Sequence, residues 1–243
     1  MHPEICKLGP ITLYSYGLML VVGFMVASFL MVRYAKAKNF NPDIIFNVGF
    51  IGLVSGILGA RALYVLQNSS YYAHKPWEIL FLQQGGLSLY GGLIVGVICG
   101  IVYLKRLHQD VLSVLDCIIP FVALAQAFGR IGCLLNGCCF GRHSVWGIFF
   151  PVHNDYLLPT QIYSSFGLLV IFVVLRFLQE KPHVRGTILY AYLALYALKR
   201  FIIEFWRADN PALIGSLTIF HLFSIAMFVF ACAMLIFILR KKQ

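Results

Sequence analysis

Residues 129–142 read GRIGCLLNGCCFGR, placing Arg130, Arg142, Asn136 and three cysteines at the end of an apolar run, Leu112 to Phe128, broken only by Asp116 and Gln126. Three chemistries use such groups. Cysteines with nearby histidines hold zinc, a thiolate beside cations is a nucleophile, and converging guanidinium groups hold an anion. Closed zinc sites take four ligands, with pairs typically about two to four residues apart; the pattern C-x4-C-C with His143 and His153 does not follow that spacing, so no metal is expected. A local disulfide stays open for Cys133 with Cys138 or Cys139, because adjacent cysteines do not easily bridge each other.

A second constellation, YALKRFIIEFWR, puts Tyr196, Arg200 and Glu204 four residues apart on one helical face, with Arg207 one turn further on. Such a face cannot point at lipid tails; it serves either a functional site or a structural Arg200–Glu204 ion pair. In ILGARALY, Arg61 lies inside an apolar run with Tyr64 one turn on, so Arg61 either snorkels to an interface or faces a ligand. In QQGGLSLYGGLIVG, two Gly-Gly pairs flank Leu87 to Tyr90, and such glycines favour tight helix packing over ligand approach. Tyr90 itself reads as either an interfacial belt residue or a site residue.

The elements that must carry these groups are membrane spans. Hydrophobic residues make up 60% of the 243 and charged residues only 12%, against about 25% charged in soluble proteins. A spanning helix needs about 20 mainly apolar residues. Seven runs qualify, at about 13–33, 44–66, 88–104, 112–130, 162–178, 186–206 and 217–239, the fourth and sixth being impure. The expected fold is an all-α integral membrane protein of seven transmembrane helices forming one polytopic domain over residues 1–243. The N-terminal sequence does not read as a removable signal peptide, lacking a basic region before an apolar stretch and a small-residue cleavage site.

The formal charge of +10 would suit nucleic acid in a soluble protein. Here the positive-inside rule accounts for it. Arg33, Lys36, Lys38, Lys105, Arg106, Arg176, Lys181, Arg185, Arg240, Lys241 and Lys242 all fall on one side, against Lys7, Lys75, Arg142 and Arg207 on the other. That bias predicts an outer N-terminus, a cytoplasmic C-terminus and outward segments at about 67–87 and 142–161, and it removes the case for nucleic acid. Arg61, Tyr90, Arg130, Arg142 and Arg207 then share the outer side. The anion most available there is a phospholipid phosphate, which arginine suits because its fork donates two parallel hydrogen bonds. Seven cysteines, an odd number, argue against a complete disulfide framework.

Taken in order, YGLM (16–19), GARALY (59–64), GGLSLYGGLIVG (85–96), GRIGCLLNGCCFGR, PTQIY (159–163) and YALKRFIIEFWR resemble the prolipoprotein diacylglyceryl transferase family from about residue 10 onward. The resemblance implies a multi-pass enzyme of the bacterial inner membrane, without metal or dissociable cofactor. Its partners would be phosphatidylglycerol and a prolipoprotein whose lipobox cysteine thiol receives the diacylglyceryl group, giving a thioether and glycerol phosphate. Arg130 and Arg200 match the two essential arginines, Tyr196 and Glu204 the Tyr and Glu on the second arginine's face, and Tyr16 the tyrosine before GLM. Asn136 with Gly137, Gly141 and Gln161 with Tyr163 match further motif positions, and Ser164 stands where an acid usually follows.

Three positions depart from the family pattern: Tyr90 stands where many members have a histidine proposed as base, Cys133 where the signature has asparagine, and Cys138 where it has glutamate. A phenol with pKa about 10 is a poor base at neutral pH, costing about 4 kcal/mol to ionise, so Tyr90 is expected to donate a hydrogen bond or position substrate. Arg61 and Arg207 are expected to help bind the lipid. Cys138 or Cys139 is not expected to act as nucleophile, because a stable thioether on the enzyme could not readily be passed on. The competing readings are a phospholipid-binding or anion-transporting membrane protein, for which paired inverted repeats would be expected, and a paralogue with a different acceptor.

Overall fold

The computed structural model describes residues 3–8, 11–81, 85–215 and 217–240. Its helices are α1 (Ser15–Ala37), α2 (Pro42–Gln67), α3 (Ser69–His74), α4 (Leu89–Arg106), α5 (Val111–Asn136), α6 (Thr160–Glu180), α7 (Thr187–Glu204) and α8 (Ile219–Arg240). Among the described residues, α1, α2, α4, α5, α6 and α8 are long and apolar enough to cross a membrane. Helix α7 coincides with the impure sixth run and carries Lys199, Arg200 and Glu204 in its last two turns. The fourth run extends further than its hydropathy suggests, because α5 continues past Arg130 to Asn136.

The expectation of helices alone misses six short strands, which pair as three antiparallel hairpins: β1 (Glu4–Leu8) with β2 (Ile11–Tyr14), β3 (His143–Phe150) with β4 (Asp155–Leu157), and β5 (Ala212–Ile214) with β6 (Leu217–Thr218). All three lie outside the long helices, where the backbone must still satisfy its own N–H and C=O groups. Large apolar side chains such as Met25, Phe29, Leu58, Phe166, Phe177, Val229 and Phe237 are exposed. So much unpaired apolar surface suits a bilayer and not water.

The chain divides into two compact units, residues 1–30 with 115–243, and residues 31–114. In the first, Ile119 and Ala123 of α5, Ile171 and Leu175 of α6, and Ile188 and Tyr192 of α7 form a buried core. Polar groups inside these helices are spent on one another. Asp116 caps α7 from across the unit: its carboxylate accepts hydrogen bonds from the backbone N–H of Gly186 (2.6 Å) and Leu189 (2.9 Å), satisfying N–H groups that a helix start leaves unpaired. Tyr192 donates its hydroxyl to Gln126 Oε1 at 2.9 Å.

In the second unit, α2 and α4 pack closely through small residues. A Cβ on Gly92 would stand 3.0 Å from the Gly56 carbonyl oxygen and one on Gly96 2.9 Å from that of Gly52, while Gly59 and Gly91 meet more tightly still. Backbone approach of this kind replaces the hydrophobic drive that lipid cannot supply between helices. The glycines of GGLIVG are therefore packing residues.

Candidate active site

The site is built where α5 ends. Gly137 adopts φ 76°, a conformation that costs glycine little. The chain reverses there in a Schellman arrangement, Cys138 N–H bonding the Cys133 carbonyl (3.1 Å) and Gly137 N–H that of Leu134 (3.1 Å). The reversed segment is laced to its neighbours. Thr160 Oγ1 donates to the Cys139 carbonyl and Gln161 Nε2 to that of Cys138, both at 2.7 Å. Gly141 is pressed between Leu158 and Trp206: an added Cβ would come within 2.7 Å of the Leu158 Cβ and the Trp206 carbonyl. No side chain fits there, which assigns Gly141 to shaping the segment.

Beneath this segment lies a narrow cleft lined by Arg130, Cys139, Thr160, Gln161, Ser164, Lys199, Arg200, Ile203 and Arg207. Four cations and no carboxylate make up its charged lining. The acids stand behind two of those cations. Glu204, fully buried, pairs with Arg200 (Nη2 to Oε2, 2.9 Å) and is itself held by Asn210 Nδ2 (2.6 Å) and Thr218 Oγ1 (2.8 Å). Asp209 accepts from both Nε (2.8 Å) and Nη2 of Arg207. The Arg200 guanidinium also lies over the Phe220 ring, 4.9 Å from its centre.

Arg130 differs from both. Among the described residues its guanidinium makes no hydrogen bond or ion pair, although it is mostly buried in the last third of α5. An unpaired guanidinium beside two carboxylate-anchored ones is chemically suited to an anion.

The other expected residues fall into place around this cleft or apart from it. Tyr16 of α1 overlies Gly132: a Cβ there would be 3.2 Å from the Tyr16 ring, and Tyr16 lies within electrostatic range of Arg130 and the three cysteines. Asn136 closes α5 close to the Cys138 thiol. Tyr196 lies under the Lys199 ammonium, 4.4 Å from ring centre to Nζ. Cys139 lies within electrostatic range of Arg207 and Arg130, whose positive charges favour its thiolate.

Arg61 and Tyr90 belong to the second unit. Tyr90 stands half-exposed in the first turn of α4. Arg61 is buried and spends its guanidinium on five backbone carbonyls, those of Glu78 (2.6 Å), Ile79 (2.9 Å), Phe81 (3.2 Å), Gly85 (2.8 Å) and Gly86 (3.1 Å). A guanidinium has five N–H donors, so none is left over for a phosphate. The structure employs Arg61 as a clamp on the backbone of residues 78–81 and 85–86.

Lys199 and Thr160 are not among the site residues the sequence suggests, and Ser164 enters there only as a departure from a motif. The signal for Lys199 was available: a lysine one position before Arg200, deep in an apolar helix, where a charge is costly. Its Nζ donates to Ser164 Oγ at 3.1 Å. Asn210 and Thr218, which hold Glu204, lie outside any motif.

The family described as prolipoprotein diacylglyceryl transferase matches residues 3–237. The chain belongs to that family. It is 36% identical over 241 residues to the phosphatidylglycerol–prolipoprotein diacylglyceryl transferase of Clostridium tetani (strain Massachusetts / E88), covering 95% of this chain and 96% of the relative. Enzymes of the same name from Trichormus variabilis (strain ATCC 29413 / PCC 7937) and Staphylococcus carnosus (strain TM300) are each 30% identical, with 99% and 100% of this chain covered and 91% and 92% of theirs.

Proposed function

We propose that the chain transfers the diacylglyceryl group of phosphatidylglycerol to the lipobox cysteine thiol of prolipoproteins, as an early step of lipoprotein maturation. The observation that carries the reading is the unpaired Arg130 in a cleft of four cations. The reaction joins the acceptor sulfur to a glycerol carbon and breaks that carbon's bond to the phosphate oxygen, so negative charge gathers on the departing phosphate. Cations held in place before the reaction stabilise that charge more in the transition state than in the ground state.

Arg130 and Arg200 meet the phosphate, and Arg207 and Lys199 extend the same positive field. Glu204 fixes Arg200, so that the guanidinium does not have to be ordered by substrate. Gln161, fully buried, keeps its Oε1 free of any donor among the described residues and offers it to a headgroup hydroxyl. Tyr16 and Asn136 border the acceptor side. Tyr90 positions substrate by hydrogen bonding and takes no proton.

In this reading α7 is a seventh span, the N-terminus is outside, the C-terminus is cytoplasmic, and residues 67–87 and 142–161 face outward in the bacterial inner membrane. Its charged turns are tolerated because they face the cleft. The test is to incubate purified protein with phosphatidylglycerol and a lipobox peptide. A thioether-linked diacylglyceryl peptide with one glycerol phosphate released per transfer is expected. Phosphatidylglycerol binding without either product would leave a lipid-binding protein instead, and transfer to a different acceptor alone would reassign the substrate.

A further inference from the structure

Among the described residues the sulfurs of Cys133, Cys138 and Cys139 all lie within 4.8 Å of one another, and all three are free thiols. The reversal at Gly137 gathers them, folding Cys138 back over the last turn of α5 until its sulfur is 3.7 Å from the Cys133 carbonyl oxygen. Their surroundings differ. Cys133 is buried near the end of α5, whereas Cys139 lines the cleft that contains Arg130.

We propose that the trio is an oxidative modification site, where a peroxide oxidises Cys139 and Cys133 then closes a disulfide with it. The bond shuts the cleft down until a thiol reductant reopens it. The loss of transfer rests on the reaction proposed above, whereas the bridge itself does not. A redox-sensitive cysteine is an accessible thiol beside cations, with a second thiol in reach to resolve it. Cys139 meets that description: it faces the cleft, and the positive charges of Arg207 and Arg130 favour its thiolate. Cys133 is the resolving partner in place of Cys138, because adjacent cysteines do not easily bridge each other.

The chemistry balances in two steps. The Cys139 thiolate attacks an oxygen of hydrogen peroxide, the O–O bond breaks and hydroxide leaves, giving a sulfenic acid. The Cys133 sulfur then attacks the Cys139 sulfur, the S–O bond breaks, and the departing oxygen takes the Cys133 proton and leaves as water. The two sulfurs lose two electrons in all, and the peroxide takes both. An S–S bond is about 2.0 Å long, so sulfurs spread over as much as 4.8 Å must draw together. Cys133 is fixed in α5, and the movement therefore falls on residues 138 and 139 beyond the turn. Cys139 has little to lose by moving, because its φ of 63° is one that a side-chain-bearing residue rarely adopts. The carbonyls of Cys138 and Cys139 hold the side chains of Gln161 and Thr160, both at 2.7 Å, and those side chains line the cleft. Closing the bridge pulls on that wall.

The test treats purified full-length protein in detergent with hydrogen peroxide, alkylates the remaining thiols and digests the product. Trypsin releases residues 131–142 with all three cysteines. That peptide should emerge with one alkylated cysteine and two hydrogens fewer, and a further cut after Leu134 or Leu135 should leave its halves joined. In Cys138→Ser the bridge should still form. In Cys133→Ser the halves should separate, and Cys139 should carry added oxygen as sulfinic or sulfonic acid. Lipidation of a lipobox peptide, each protein compared with its own reduced rate, should fall at least tenfold on oxidation; dithiothreitol should restore it in the wild type and not in Cys133→Ser. Three alkylated cysteines after peroxide, or a bridge confined to Cys138 and Cys139, overturns the site. A Cys133–Cys139 bridge with lipidation undiminished overturns the shutdown. The same bridge in a protein that does not lipidate even when reduced leaves the modification site standing and defeats the transferase reading.

Discussion

Gln179 of α6 donates its side-chain amide to the backbone carbonyl of Asp116, 2.8 Å away on α5, and to that of Cys117 at 3.1 Å. Asp116 is four residues before Pro120, which has no N–H to offer it. Gln179 thus repairs, from a buried position, the gap that a proline opens in a helix. Replacing Gln179 by Leu should cost about 1–3 kcal/mol, the penalty of leaving a buried carbonyl unpaired. Placing Pro120→Ala in the same chain should recover most of that loss. A double-mutant cycle of unfolding free energies in detergent checks it, and independent, additive effects would disprove the coupling.

Arg130→Ala should reduce lipidation by about a hundredfold or more, the usual size of loss when a preorganised donor to developing negative charge is removed. Arg130→Lys should restore only part of it, because an ammonium lacks the planar fork. Tyr90→Phe, by contrast, should keep measurable lipidation. Steady-state rates with a lipobox peptide distinguish the three, and complete inactivity of Tyr90→Phe would make the phenol the proton acceptor after all.

The long helices were legible because a bilayer imposes one strong rule, a run of apolar residues, and each run became a helix, the fourth continuing past its expected end to Asn136. The face Tyr196–Arg200–Glu204 was legible for the same reason, since a period of four on a helix needs no tertiary knowledge. What was not legible depended on chain reversals. Arg61 reads as a ligand in the sequence because its five partners are the backbone carbonyls of residues 78, 79, 81, 85 and 86, which no side-chain pattern announces. The cysteine trio looked badly spaced because one left-handed glycine, Gly137, brings together what the sequence sets apart. Asn210 and Thr218 lie beyond α7 and meet Glu204 only once the β5–β6 hairpin is folded.

Glu204→Gln should lower kcat and stability together. The buried carboxylate pairs with Arg200 and accepts from Asn210 and Thr218, and charge-assisted bonds of this kind contribute about 1.5–3 kcal/mol each when removed. Because Arg200 is partly exposed, the lower end is expected for stability. Thr218→Val, which leaves the ion pair intact, should cost stability with a smaller change in kcat. Thermal unfolding and lipidation rates measured on the same preparations check the pair, and equal rate losses in both variants would deny Glu204 its hold on Arg200.

Arg61→Lys separates a clamp from a ligand. A lysine keeps the charge but offers three donors from one point, where five carbonyls of residues 78–81 and 85–86 are now held by a planar group. The segment should therefore open, and limited proteolysis should cut it faster than in the wild type. Gly86 adds to the same constraint, because a Cβ there would fall 2.5 Å from Tyr64 and 2.8 Å from Arg61, so Gly86→Ala should expose the segment while leaving Arg61 in place. If Arg61 bound phosphate, Arg61→Lys would raise the KM for phosphatidylglycerol with the cleavage rate unchanged, and Gly86→Ala would not reproduce it. Parallel increases in cleavage in the two variants are expected, because both act on the folding of one segment and neither removes a group from the cleft around Arg130.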